Sequence, residues 1–493
     1  MKVALVRNLA ADYCRRPPFH PPVRYHEYPF QDTCPDNSCY PEVRNVLHQL
    51  GLDREHYGSP SWNPLGEVIQ PGDRVFIKPN LVSHRNPTGS IEAIITQGSV
   101  IRAVLDYAFI ALNNSGSIAI GDAPFFDTDF DEVVRLTGLG EIARYYHNSA
   151  GMTIGLHDLR NEKGLARLGA LRKEPLPGDP RGYTAVDLKD DSAHKEIIDQ
   201  YDRFRLGYYN HHDITKHHNP EKNEYPIANS VLHADVVINV PKLKTHGKAG
   251  LTCALKNMIG INVYKGWLPH HRAGSAEIGG DDYEHSDIRQ DLMCRLKDEI
   301  PTRKSIITMI PLRAACGMLF FSKYIVPFRA DGPGGSWHGN DTIPRTISDL
   351  NRILIYADKN GIIQTTPQRR TFVLVDALTA GEKEGPMRNS AKKCGILVAG
   401  YNPVAVDLIC SMIMGFDHSR IPTFKYVLQG GKYPIFYGAP DDIQILAHGC
   451  EHPRDIIDQY NCHFVPADGW GNHVEYRATD SKNTRPDLAA IVR

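Results

Sequence analysis

Residues 234–261 read ADVVINVPKLKTHGKAGLTCALKNMIGI. The first part, Val236-Val237-Ile238-Asn239-Val240, is apolar and β-branched, the pattern of a strand buried on both faces of a parallel sheet. Pro241 has no N–H to donate and ends that ladder. Lys242, Lys244, His246 and Lys248 follow, and Ala249-Gly250 opens a second apolar run, Leu251 to Ile261, which reads as a helix. Cations are therefore expected to crowd the turn between a strand's carboxyl end and a helix N-terminus. Open α/β sheets bind ligands at that edge, and helix N-termini favour anions. Lys242, Lys244 and Lys248 are candidate anion-binding groups.

At helical spacing Ala249, Cys253, Lys256 and Gly260 share one face, on which all but the lysine are small. A lysine in such a place reaches water, pairs with an anion or gives up its proton. Lys256 is thus a candidate ligand-binding or catalytic group, with a snorkelling or ion-paired structural lysine as the plainer alternative.

Outward from this stretch the chain repeats the strand–helix pattern. Arg74 to Pro79 and Ser117 to Gly121 read as strands joined by a helix over Ser99 to Leu112, and a further helix is expected from about Asp129 to Tyr146. Polar groups follow each strand: Asn80, Arg85 and Thr88 after the first, Asp122 after the second. Thr371 to Asp376 and Ile396 to Gly400 read as later strands, and Val404 to Met414 as an apolar helix with Asp407 inside it. The expected fold class is a doubly wound, parallel α/β scaffold. Its expected parts are an N-terminal α/β domain over 1–263, an insertion or lid over 264–365 and a C-terminal α/β domain over 366–493.

Asp122, Asp376, Glu382 and Glu384 are carboxylates at or just past strand ends. They are candidate ligands for a hard cation such as Mg²⁺, or partners for the lysines. In the middle segment, the glycine-rich run from Asp331 to Thr342 contains Trp337, His338 and Asp341 and suits a closing loop. His338 and Asp341 are candidate substrate contacts, and Asp341 is equally a candidate N-cap for a helix from Thr342 to Tyr356.

The chain has 493 residues, 41% hydrophobic and 23% charged, with a formal net charge of −1. That is a soluble globular composition of two or three domains, and it argues against a general nucleic-acid binder. No secretory signal is visible, and the longest uninterrupted apolar stretch of the Pro311–Phe328 segment is too short to span a bilayer, so a cytoplasmic protein with no more than peripheral membrane contact is expected. The ten cysteines form no cluster-binding spacing, so no iron–sulfur cluster is expected. The common nucleotide, zinc-protease and serine-hydrolase signatures are absent.

Several pieces together resemble the domain-of-unknown-function 362 family. They are Ile77-Lys78-Pro79-Asn80, Gly121-Asp122-Ala123, the run from Ala234 to His246, Ala254-Leu255-Lys256-Asn257, Trp337 to Asp341, Asp376-Ala377, Glu384-Gly385-Pro386 and Ala399 to Asp407. More distantly, Lys244-x-His246-x-x-Ala249-Gly250 with Lys256 ten residues after the histidine is similar to lactate racemase. That resemblance implies a similar scaffold, His246 as a proton acid/base and Lys256 as the anchor of a nickel-pincer nucleotide, with the Arg85-Asn86-Pro87-Thr88 loop holding substrate or phosphate. Where the racemase has a Gly-Thr-His turn, this chain has Gly121-Asp122-Ala123.

The reading as a whole is an isomerase- or oxidoreductase-like enzyme. It would act on an anionic or hydroxylated small molecule, a hydroxy acid or sugar derivative, by proton or hydride transfer in a cleft lined by His246 and Lys256. The alternatives are a Mg²⁺-dependent phosphate or sugar-phosphate enzyme, and a non-catalytic assembly protein of cell-surface polysaccharide production.

Overall fold

A computed structural model describes residues 1–167, 170–303, 305–322, 324–325 and 334–476. Asp331 to Pro333 of the glycine-rich run, and Lys323 with residues 326–328 of the apolar segment, lie outside the described residues.

The molecule is built on a ten-stranded, mostly parallel sheet. Its strands in chain order are β1 (Lys2–Arg7), β2 (Arg74–Pro79), β3 (Ser117–Asp122), β4 (Gly155–Asp158), β5 (Val236–Val240), β6 (Lys242–His246), β7 (Gly250–Thr252), β8 (Arg370–Glu382), β9 (Ser390–Gly400) and β10 (Gln444–Leu446). Across the sheet the order is β10-β1-β9-β8-β5-β2-β3-β4, and β6 pairs with both β8 and β7. The run β8-β5-β2-β3-β4 is parallel throughout. Because β8 lies between β5 and β9, strands from 1–263 and from 366–493 interleave in one sheet.

The period-2 pleat sorts each strand's side chains between two cores. Val236, Ile238 and Val240 face one core with Ile77 and Leu374, while Val237 faces another with Phe76. The first core is closed by helices α1 (Cys39–Gln49) and α2 (Gly98–Leu112). Helices α6 (Thr342–Tyr356) and α7 (Pro403–Met414) cover the other face, with α3 (Ala254–Asn257) packed against both. An outlying hairpin is formed by α4 (Ile288–Glu299) and α5 (Ile306–Ser322).

The lysine-rich stretch is not a turn. Lys242–His246 is a strand that carries the sheet past Pro241 along the extended β8, with Lys242 opposite Asp376 and Lys244 opposite Gly381. It then folds back as a hairpin, pairing Lys244 with Thr252 and His246 with Gly250. Pro241 ends only the donor side of the ladder, and its carbonyl still accepts the N–H of Asp376 at 2.9 Å. The helix expected over Leu251 to Ile261 is correspondingly short: β7 takes its start, α3 has four residues and a 3₁₀ turn over Met258–Ile261 ends it. The helix expected over Asp129 to Tyr146 is two helices, Phe130–Thr137 and Leu139–Ala150, separated by Gly138 in the left-handed region at φ 66°.

Candidate functional site

A cavity of about 320 Å³ lies at the carboxyl ends of β2 and β3, against the β6–β7 hairpin. Its basic wall combines Lys244, His246, Lys248 and Lys256 with Lys265 and His270 from the middle segment. Phe125, Phe126, Tyr208 and Tyr209 add an aromatic lining. Asp122 is the single carboxylate among the described lining residues, and it is held by the buried Lys78 ammonium at 2.8 Å.

The alternation of β6 explains how the cations arrive. Lys242, Lys244 and His246 share one side of the strand, while Leu243 faces the apolar core with Leu251 and Ala254. Lys244 donates to the carbonyls of Ile94 and Pro386 at 2.6 and 2.9 Å, so its stem is fixed. His246 Nδ1 accepts the backbone N–H of Lys248 at 3.0 Å. A neutral imidazole bonded in this way carries its proton on Nε2.

Lys256 rides on α3, which is clamped from three sides. Asp407 accepts the N–H groups of Ala254 and Leu255 at 2.7 and 3.0 Å. Asn257 donates to the Lys78 carbonyl at 3.0 Å and to Asn239 Oδ1 at 2.8 Å, and Asn239 in turn donates to the Ala254 carbonyl at 2.8 Å. Gly260 lets the chain pass close to the ion pair, because a Cβ there would sit 1.9 Å from Asp122 Oδ1 and 2.7 Å from Lys78 Nζ. At the rim, a Cβ on Gly385 would lie 1.9 Å from the Thr245 carbonyl oxygen.

The Lys256 ammonium takes no hydrogen bond or ion pair from the described residues, and the side chain stays only partly exposed. Burial, then repulsion from Lys248, pushes its pKa down to about 7. Burial likewise brings Lys248 to about 8 and Lys265 to about 7, and burial, then Lys256 and Lys242, holds Lys244 well below the ordinary lysine value until an anion arrives. His246 is held far below the ordinary histidine range by burial, with Lys256 and Lys244 next in effect. The cavity thus presents a neutral imidazole donor, an amine that shares its time between charged and neutral forms near pH 7, and further lysines for anionic oxygens.

The other sequence-predicted residues fall into different places. Asn80 lines the cavity. Lys242 does not: it is wholly buried, 2.6 Å from Asp376, and bonded to the Tyr13 hydroxyl at 2.8 Å. Arg85 lies in an exposed loop 2.9 Å from Asp127, and Thr88 bonds Asn86 in the same loop. His338 stacks on His473 with ring centroids 3.7 Å apart. Asp341 pairs with Arg345 at 2.9 Å and sits at the N-cap of α6 without capping it; the capping oxygen is Asn340 Oδ1, which accepts the Thr342 and Ile343 N–H groups.

The four carboxylates considered for Mg²⁺ do not converge. Asp122 pairs with Lys78, Asp376 with Lys242 and Glu382 with Lys392, while Glu384 accepts the Asp468 N–H. Among the described residues no group of three or more His, Cys, Asp or Glu is arranged to hold a metal ion. The nickel-pincer nucleotide fits only in part. Lys256 offers an unpartnered amine, and His270 donates through Nδ1 to the Leu268 carbonyl, leaving Nε2 as an acceptor. The turn at Gly121-Asp122-Ala123, however, supplies a carboxylate already bound to Lys78 in place of a histidine.

Sequence reasoning missed Lys78, Lys265, Asn257 and the clamping role of Asp407. Lys78 and Asp407 did leave a signal, each being a charge inside an otherwise apolar strand or helix. Lys265 left none.

Residues 183–412 match the family model described as domain of unknown function (DUF362). A thylakoid-associated protein of Synechocystis sp. is 26% identical over 395 residues, which are 80% of this chain and 77% of that protein. A crystal structure of a Thermotoga maritima protein is 11% identical and covers 74% of this chain, and this chain spans 56% of that one's length. With a TM-score of 0.29, that likeness bears on neither fold nor function. No helix among the described residues is long and apolar enough to cross a membrane.

Proposed function

We propose, for a chain that belongs to the family of domain of unknown function 362 through residues 183–412, that the cavity of His246 and Lys256 is an active site for proton transfer on a small anionic acid. The substrate class is a 2-hydroxy or 2-oxo carboxylate or a sugar acid. The observation that carries the reading is the lining itself: four lysines and two histidines around one space, with the only carboxylate among the described lining residues already neutralised by Lys78. Such a space favours an anion over any neutral or cationic occupant.

In this reading Lys244, Lys248 and Lys265 hold the carboxylate and other anionic oxygens. Lys256, as the neutral amine, removes the proton from the carbon next to the carbonyl or carboxylate. The C–H electron pair moves into the C–O system, and the oxygen that gains charge takes a hydrogen bond from His246 Nε2–H. A neutral imidazole suits that task, since it donates without being a strong acid. Return of the proton from the Lys256 ammonium to the opposite face of that carbon completes an epimerisation, and its delivery to the neighbouring atom of the enolate completes a tautomerisation. Both groups belong to this chain, and proton transfer asks for no others.

Incubation of the protein in D₂O with a panel of 2-hydroxy, 2-oxo and sugar acids tests the reading. Mass spectrometry should find deuterium at the carbon next to the carbonyl or carboxylate of at least one compound, lost in Lys256→Met and reduced by about a hundredfold or more in His246→Ala. Exchange that persists in both variants would overturn it.

A further inference from the structure

The α4–α5 hairpin carries a surface that the cavity does not use. On α5 and in the turn after it, Ile307, Ile310, Met318, Phe321 and Ile325 are 80%, 53%, 70%, 67% and 85% exposed. At helical spacing, with Ala314 among them, they form one stripe along the helix. The opposite side of the hairpin has its own small core of Met293, Ile300, Met309 and Cys316. The exposed stripe is therefore not what holds the hairpin together. A run of large apolar side chains of this length on open surface marks a docking face.

Its charge pattern indicates what docks there. From Pro301 to Ala330 the sequence holds Arg303, Lys304, Arg313, Lys323 and Arg329 and no Asp or Glu. Arg313 is exposed on the flank of the stripe and takes no ion pair from the described residues. The acids of α4 are engaged elsewhere, Asp298 with Arg205, Glu299 with Arg303 and Asp291 with the Tyr283 hydroxyl. An apolar stripe with Arg313 on its flank, in a stretch of sequence that holds cations and no acid, matches the boundary between acyl chains and anionic headgroups. At 17 residues α5 is interrupted by Arg313, which suits a helix lying in the plane of that boundary.

We propose that the α4–α5 hairpin docks the protein onto the surface of a bilayer containing anionic lipid, with Ile307, Ile310, Met318, Phe321 and Ile325 entering the acyl layer. The inference is independent of the chemistry in the cavity. Flotation of the full chain with vesicles of phosphatidylcholine holding about 30 mol% phosphatidylglycerol tests it, alongside vesicles of phosphatidylcholine alone. The protein should rise with the anionic vesicles, bind the neutral ones far more weakly and come off as salt increases. Ile307→Glu with Phe321→Glu should lower partitioning by about tenfold or more. Unchanged circular dichroism and an unchanged Lys256 titration would show that the variant is folded. Failure of the wild-type chain to float, or equal flotation of the double variant, would overturn the proposal. So would a wild-type dimer by light scattering that the two substitutions split and that does not float, since the face would then be a subunit interface.

Discussion

The backbone N–H of Lys248 donates to Nδ1 of His246 at 3.0 Å, and this bond decides what His246 can do. It places the imidazole proton on Nε2, so the ring meets the cavity as a donor. Together with burial and the neighbouring lysines, which hold the ring neutral, it leaves Nε2–H free for the role proposed for it, donation to a developing oxyanion. Nitrogen-15 NMR of the histidine ring should show the Nε2–H tautomer throughout the range from pH 6 to 8. His246→Gln, which keeps an N–H donor, should retain more activity than His246→Ala, and equal losses in the two would contradict the donor role.

Lys256 gives the cavity a pH dependence with two parts. Its pKa of about 7 lets the neutral amine accumulate as pH rises, so the maximal rate should climb through about pH 7. Lys248, near 8, should hold its share of the anion only below that value, so KM should rise above it. The stability effect follows from the same shift. The folded chain binds fewer protons than the unfolded one between about 7 and the ordinary lysine value of 10.5, so this contribution to stability grows with pH across that window. Thermal melts of wild type and Lys256→Met should show the slope in the first and its loss in the second.

Asp407 is a positioning residue for Lys256, since its carboxylate holds the first two N–H groups of the helix that carries the lysine. Asp407→Ala should destabilise the fold by about 1–3 kcal/mol through unsatisfied buried donors. A purely structural role would stop there. Displacement of α3 should also move the Lys256 pKa back toward the ordinary lysine value, which a lysine titration in the variant would detect. Burial raises the Asp407 pKa to about 7, so the folded chain binds more protons than the unfolded one from 3.8 to about 7. Its contribution to stability therefore falls as pH rises through that range, and Asp407→Asn should flatten the slope.

The Lys242–Asp376 pair, at 2.6 Å with both side chains fully buried, supports the sheet and leaves the cavity alone. Lys242→Met leaves an unpaired buried carboxylate and should destabilise by about 3–5 kcal/mol, with most of that recovered in Lys242→Met with Asp376→Leu. Urea unfolding midpoints would measure both. Anion affinity in the folded double variant should match wild type, whereas Lys244→Met should weaken it.

The strands and helices whose patterns are local were legible in the sequence. Arg74–Pro79 and Thr342–Tyr356 have the bounds their periodicity gives. The lysine stretch was misjudged because Pro241 is a sound local stop signal, while the partner that extends the sheet past it, β8, lies more than a hundred residues away. The alternation Lys-Leu-Lys-Thr-His was the overlooked sign of a strand with one polar side. Lys256 was legible as a charge in an apolar run, although the helical face with Ala249 and Cys253 that singled it out is broken by β7, and its pairing with His246 followed from the family resemblance. That Lys244 reaches the cavity while Lys242 meets Asp376 depends on strand register, which no local pattern encodes. Lys265 and His270 join the site through the path of the middle segment, again a long-range matter.

Lys256 is central to the proposed chemistry as an amine that is half neutral near pH 7. Selective ¹³C labelling of the lysine side chains, with Lys256→Arg to assign the resonance, measures that directly. The titration midpoint should lie at about 7 and move upward when inorganic phosphate or a 2-hydroxy carboxylate is added. A midpoint near the ordinary 10.5, indifferent to both anions, would contradict it.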